Sequence, residues 1–180
     1  MQILTTPFQG LLIIEPRVFE DERGYFLESW NRATFQQAGI DFAFVQDNQS
    51  GSVRNVIRGL HFQAPPYEQG KLVRVIRGAV LDVVVDLRKA EPTFGQHFKI
   101  TLTAAENKML FIPPGFAHGF RSLENDTVFF YKCTQFYHQP SERALRWNDP
   151  DLDIDWETTS PILSEKDQKA PFFKDYNSPF

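Results

Sequence analysis

The sequence predicts an all-β protein, an antiparallel β-barrel or jelly roll with few short helices. Short runs rich in Val, Ile, Phe and Tyr recur at close spacing, and Gly, Pro and Asn punctuate them. Long stretches that could serve as crossover helices between parallel strands are missing.

The expected strands run from Gly10 to Phe19, Gly24 to Trp30, Phe42 to Gln46, Val56 to Gln63, Lys71 to Arg77, Ala79 to Leu87, His97 to Leu102 and Thr127 to Phe136. Two β-branched runs meet at Gly78, in KLVRVIRGAVLDVVVDLR, and predict a central hairpin. The second of them is apolar on both faces, as a strand covered on both sides should be. Helix is expected from Asn31 to Ala38, with Asn31 as N-cap and Gly39 as stop, and as one short turn from Ser164 to Lys169. From Asp149 to the end, Asp, Ser, Thr and Pro predict an irregular tail (149–180) that packs over the barrel. With 180 residues and no Gly/Ser/Pro-rich linker, one domain spanning residues 1–180 is expected.

Aromatic residues make up 14% of the chain, with 18 Phe, more than a simple core requires, so some rings are candidates for holding a ligand. The formal net charge is −4 and the 19 Lys and Arg are dispersed, which argues against nucleic-acid or membrane-surface partners. The single cysteine, Cys133, excludes an internal disulfide and a Cys-cluster zinc site. The start MQILTTPFQG lacks a signal-peptide pattern, and no apolar run approaches the ~20 residues a membrane span needs, so a soluble cytoplasmic protein is expected.

Four segments could carry chemistry. In VIRGLHFQAPPYEQGK, Arg58 and His61 lie three positions apart, on opposite faces of a regular strand, but Gly59 permits a bulge that would change this parity. FIPPGFAHGF reads as a rigid turn delivering His118 at its end. In FFYKCTQFY, Tyr131 and Cys133 share a face opposite Lys132, which makes Tyr131 a possible proton donor if it faces inward. ERGYFLESW sets Arg23 and Glu28 beside Tyr25, Phe26 and Trp30, a set that would fit a nucleotide, though an ordinary amphipathic strand is the more common explanation. A His paired with a Tyr suits removal of a proton from one face of a carbon and its return to the other, because imidazole titrates near neutrality and phenol near ~10. Phosphate loops, nucleophile elbows and paired glycosidase carboxylates do not stand out.

Together ERGYF, QDNQS, VIRGLHFQ, PPGFAHGF, YKCT, SERALRWNDPDLDIDW and LSEKD resemble the dTDP-4-dehydrorhamnose 3,5-epimerase family, in the family's order and over nearly the whole chain. The resemblance implies a cupin-like barrel without cofactor. It also implies inversion of carbons 3 and 5 of dTDP-4-dehydro-6-deoxy-D-glucose, a step of dTDP-L-rhamnose and cell-surface polysaccharide synthesis. It makes His61 the base, Asp167 its orienting partner, Tyr131 the acid and Lys71 the stabiliser of the enolate oxygen at carbon 4. Arg58 and His118 would line the sugar and phosphate region. Arg23, Glu28, Gln46, Asp47 and Asn48 would bind the nucleotide, with Tyr137 stacking on thymine and Glu142 and Lys166 adding contacts. The family is a homodimer in which an N-terminal strand crosses over, so Arg23 and Glu28 would complete the partner's site.

Three other readings compete. Related enzymes invert only one carbon of other dTDP-keto sugars with much the same acid–base set. A metal-dependent cupin enzyme would need His61, His118 and a third ligand, yet the His-x-His position here reads His61-Phe62-Gln63, and no metal is expected. A non-catalytic sugar-nucleotide-binding module would leave His61, Lys71, Tyr131 and Asp167 without a purpose.

Overall fold

A computed structural model describes all 180 residues. Six strands form one sheet in the order β1 (Gln2–Thr5), β2 (Leu12–Glu15), β10 (Met109–Ile112), β7 (Lys71–Arg77), β12 (Thr127–Cys133) and β5 (Gln46–Ser52). Five form the second, in the order β13 (Glu142–Ala144), β6 (Ile57–Gln63), β11 (Phe116–Ser122), β8 (Ala79–Asp86) and β9 (His97–Thr103). A separate two-stranded ribbon joins β3 (Val18–Asp21) to β4 (Gly24–Leu27). All ladders between these strands are antiparallel, as expected.

Period-two alternation builds three apolar layers from the two sheets. Val73 and Val75 of β7, Val80 and Val84 of β8, Phe116 and Phe120 of β11 and Phe129 of β12 meet in the space between the sheets. The alternate residues of β8 and β11, including Leu81, Val83, Val85 and Ala117, face outward and are covered by Leu152, Trp156, Phe173, Tyr176 and Phe180 of the tail. On the other sheet's outer face, Ile14, Leu72, Met109 and Phe111 pack against Phe35 of the helical segment and Ile40 just after it. Every residue of β8 is therefore buried. At ~1.5–3 kcal/mol for each fully buried large aliphatic side chain, these layers supply the main driving force for folding.

The helical segment α1 (Arg32–Gln37) starts where the sequence places it: Asn31 Oδ1 accepts from Ala33 N–H and Thr34 N–H, and Gly39 follows with φ +84°. The second helix, α2 (Glu165–Gln168), begins with Ser164, whose Oγ accepts from Asp167 N–H at 3.1 Å.

Several expectations need correction. β7 and β8 do not form a hairpin: β7 pairs with β10 and β12, β8 with β11 and β9, so both edges of each strand are already taken. Gly78 carries the chain from one sheet to the other at φ +77°, where a Cβ would lie 2.6 Å from Thr127 Oγ1. The run from Gly10 to Phe19 splits into β2 and β3 around Pro16, which has no N–H for a ladder. Phe42 to Val45 is irregular, and the strand is instead the polar segment β5, each of whose seven residues finds a partner on β12. FIPPGFAHGF is a strand, a Pro-Pro-Gly turn and a second strand, and His118 lies inside β11.

Candidate active site

β6 carries the histidine. Ile57 and Leu60 both face the tail-covered layer, although they are three residues apart, and this requires one extra residue in the strand. The register supplies it: His118 pairs with His61 and Phe120 with Arg58, so two steps on β11 match three on β6. The bulge sits at Gly59, φ +139°, where a Cβ would lie 2.4 Å from Gly119 Cα. Arg58 and His61 are thereby turned to the same cavity. On the facing sheet, the alternation that buries Val73 and Phe129 also turns Lys71 and Tyr131 inward. Asn48 stands directly across from Tyr131 and Gln46 across from Cys133.

The result is two adjoining cavities that share His61, Lys71, Tyr131 and Asn48. The deeper one adds Arg58, His118 and Asp167 above an apolar wall containing Phe120 and Phe129, whose rings stack at 4.2 Å. The outer one adds Gln46, Gln63, Gln69, Tyr137 and Glu142.

Asp167 comes from the tail. Its Oδ1 lies 2.6 Å from His61 Nε2, and its Oδ2 accepts from Ser164 Oγ at 2.8 Å. Burial pushes the Asp167 carboxyl up, but the hydrogen bond and charge of His61 and the Ser164 hydroxyl outweigh it and hold it below the usual range. A carboxylate can only accept, so Nε2 of His61 carries a proton and Nδ1 keeps a lone pair. Burial raises the Tyr131 phenol, which keeps its proton at neutral pH. Loss of water pushes the Lys71 ammonium down, against the opposing pull of the Asp82 and Glu142 carboxylates. Its Nζ lies 3.5 Å from the His61 carbonyl oxygen and 5.8 Å above the Tyr131 ring.

At the outer cavity, the exposed Tyr137 donates its hydroxyl to Glu142 at 3.0 Å, and Lys166 pairs with the same carboxylate at 2.5 Å. Burial raises the Glu142 carboxyl, but Lys166 and Tyr137 more than reverse this.

Eleven of the residues singled out in the sequence line these cavities: Gln46, Asn48, Arg58, His61, Lys71, His118, Tyr131, Tyr137, Glu142, Lys166 and Asp167. Three do not. Asp47 points to the outer face of its sheet, where Lys132 holds it at 2.7 Å, because alternation sets it opposite Gln46 and Asn48. Arg23 stands on the β3–β4 ribbon, 85% exposed and paired with Asp21, beside the exposed rings of Phe19, Tyr25 and Phe26. Glu28 accepts from Asn31 and Thr34 at the start of α1.

Sequence reasoning passed over Gln63, Gln69, Phe120, Phe129 and Asp82. Gln63 was within reach, being two residues from His61 and on its face. Its Nε2 donates to Tyr67 O at 2.6 Å and its Oε1 accepts from His138 N–H at 2.7 Å, fixing the segment that carries Tyr137. Gln69 lies in an irregular connection with no pattern to betray it.

The family model described as dTDP-4-dehydrorhamnose 3,5-epimerase matches residues 5–175. The chain belongs to the dTDP-4-dehydrorhamnose 3,5-epimerase family. It is an isomerase acting on a carbohydrate. It is 47% identical over 176 residues to the 3,5-epimerase of Shigella flexneri, covering 97% of each chain. The crystal structure of the 3,5-epimerase from Elizabethkingia anophelis matches at TM-score 0.93 and 48% identity, covering 98% of both chains. A Legionella pneumophila epimerase of the family, in complex with dTDP-4-keto-L-rhamnose, matches at TM-score 0.91 and 44% identity, over 95% of this chain and 92% of that one. The cupin-like architecture expected from the motifs is thus shared with solved members of the family. No helix of the chain is long and apolar enough to cross a membrane.

Proposed function

We propose that this epimerase converts dTDP-4-dehydro-6-deoxy-D-glucose to dTDP-4-dehydro-L-rhamnose, and that His61, Asp167, Lys71 and Tyr131 perform the proton transfers. The observation that carries this reading is that a histidine already bonded to a carboxylate and a protonated tyrosine line one cavity around one lysine. His61 Nδ1 removes the proton on a carbon next to the ketone, and Asp167 stabilises the imidazolium that forms. The electron pair moves to the carbon 4 oxygen, where the Lys71 ammonium meets the developing charge. Tyr131 then gives its proton to the opposite face of the carbon. Carbons 3 and 5 both flank the ketone, so one enolate site serves two successive inversions once His61 has released its proton to water and Tyr131 has regained one. The sugar occupies the deeper cavity and the nucleotide the outer one, with thymine on the Tyr137 ring.

Turnover in heavy water tests this. Deuterium should enter at carbons 3 and 5, and product free of deuterium would exclude the mechanism. Tyr131→Phe should still exchange protons through His61 but invert more slowly than it exchanges. Inversion at the normal rate would make Tyr131 a packing residue.

The working unit in this reading is a homodimer in the cytoplasm, with the β3–β4 ribbon laid on the partner so that Arg23 and Glu28 reach its nucleotide. Exposure of Phe19, Tyr25 and Phe26 on that ribbon supports it, since large rings on a two-stranded ribbon need a covering surface. Arg23→Ala and His61→Asn chains, each inactive alone, should recover about a quarter of wild-type activity when co-folded, because one site of each mixed dimer is intact. Absence of recovery would place Arg23 in its own chain's site.

A further inference from the structure

Asp82 lies in the middle of β8, whose eight residues are all buried, and is 0% exposed. It shares the inward face with Val80 and Val84, on the side where Lys71 and Tyr131 project from the other sheet. Its two oxygens lie 3.1 and 3.0 Å from His118 Nε2, and His118 stands directly across the β6–β11 ladder from His61. A buried carboxylate is costly unless something needs its charge.

We propose that Asp82 is a positioning residue of this site: it fixes the His118 imidazole and supplies the buried negative charge that keeps Lys71 protonated.

Elimination supports the second half. Titratable and charged groups face Lys71 from every side: His61 and Arg58 on β6, His118 on β11, Tyr131 and Cys133 on β12, Glu142 on β13 and Asp167 on α2. Asp167 is matched to His61 and Glu142 to Lys166. Burial pushes the Cys133 thiol up, and at neutral pH it carries no charge. His118 cannot cancel Asp82 either: burial pushes its imidazole down, against the pull of Asp82, and leaves it neutral. The charge of Asp82 is therefore the one not already matched, and it faces an ammonium that burial would otherwise strip of its proton. The neutral His118, protonated at Nε2 by this bond, keeps Nδ1 as an acceptor.

Removing this charge must lower the Lys71 pKa, so the variant should hold its rate at low pH and lose it earlier as pH rises. The proposal rests on Lys71 acting as the enolate stabiliser. The test is the pH profile of kcat on dTDP-4-dehydro-6-deoxy-D-glucose for wild type, Asp82→Asn and Asp86→Asn. Asp86 is a second buried carboxylate of β8, but it is bound to Arg88 and Thr93 outside the two cavities. In Asp82→Asn the alkaline limb should move down by about one pH unit or more, with dTDP affinity within about twofold of wild type. Asp86→Asn should lower Tm and leave the limb in place. An alkaline limb of Asp82→Asn that superimposes on wild type overturns the proposal and makes Asp82 structural. If Asp82→Asn does not fold, Asp82→Leu with His118→Phe replaces the pair by apolar groups, and its limb must lie below that of His118→Phe alone. Coincident limbs overturn the proposal. An inactive wild type would sink the reaction assignment and this inference with it, whereas an active wild type with an unmoved limb sinks this inference only.

Discussion

The molecule holds two histidine–aspartate pairs, built differently and facing each other across one ladder. His61 is 31% exposed at its side chain and takes its carboxylate from the tail, where Asp167 is capped by Ser164 at the start of a four-residue helix. His118 is 7% exposed and takes its carboxylate from β8, the neighbouring strand of its own sheet. In the proposed mechanism, the difference separates a group that must exchange protons with substrate and solvent from a pair that must keep a charge in place. An accessible imidazole with a lone pair can turn over, while a buried one can only hold a geometry and a field.

The largest effect expected on this contrast is at His61. His61→Asn should lower kcat by ~10²–10⁴-fold with dTDP binding near wild type, read by turnover and calorimetry. Retention of a tenth of the wild-type rate would make the two pairs equivalent and remove His61 as base. Asp167→Asn should slow the reaction less than loss of His61, because it orients the ring and steadies its charge without touching substrate. An unchanged rate would dissolve the first pair. Ser164→Ala should cost about 1 kcal/mol of stability through the lost cap, seen as a lower Tm, with a rate loss of only a few-fold from a looser Asp167. A rate loss matching Asp167→Asn would mean that the tail pair depends wholly on its cap.

Chelators should change none of this. His61 and His118 are each committed to an aspartate, and no group of three or more His, Cys, Asp or Glu side chains converges in metal-binding geometry. Reactivation of a chelated sample by one metal would overturn the acid–base contrast altogether.

The residues that meet in the deeper cavity were legible from the motifs that hold His61, Tyr131, Lys71 and Asp167, and the antiparallel architecture from its punctuated β-branched runs. Local chemistry carries such information: Asn31 caps its helix, and the alternation of Tyr131, Lys132 and Cys133 holds in the structure whatever lies on the neighbouring strand. β5 stayed hidden because QDNQSGS has no propensity of its own and is a strand only through its pairing with β12. The face that Asp47 takes stayed open with it, since that face is undefined until its strand is known.

What the sequence determined by itself is therefore the strand-rich class, the helix caps and the candidate side chains for proton transfer, all properties of residues and their near neighbours. Tertiary structure alone decided three things. It chose which sheet each half of the Gly78 junction joins, and it set the Gly59 bulge that turns Arg58 and His61 to one cavity. It also placed Asp82, one carboxylate in an apolar run, beside His118 and facing Lys71. The physical reason is common to all three: each is a relation between segments far apart in the chain, and only ladder register and burial bring such segments into contact.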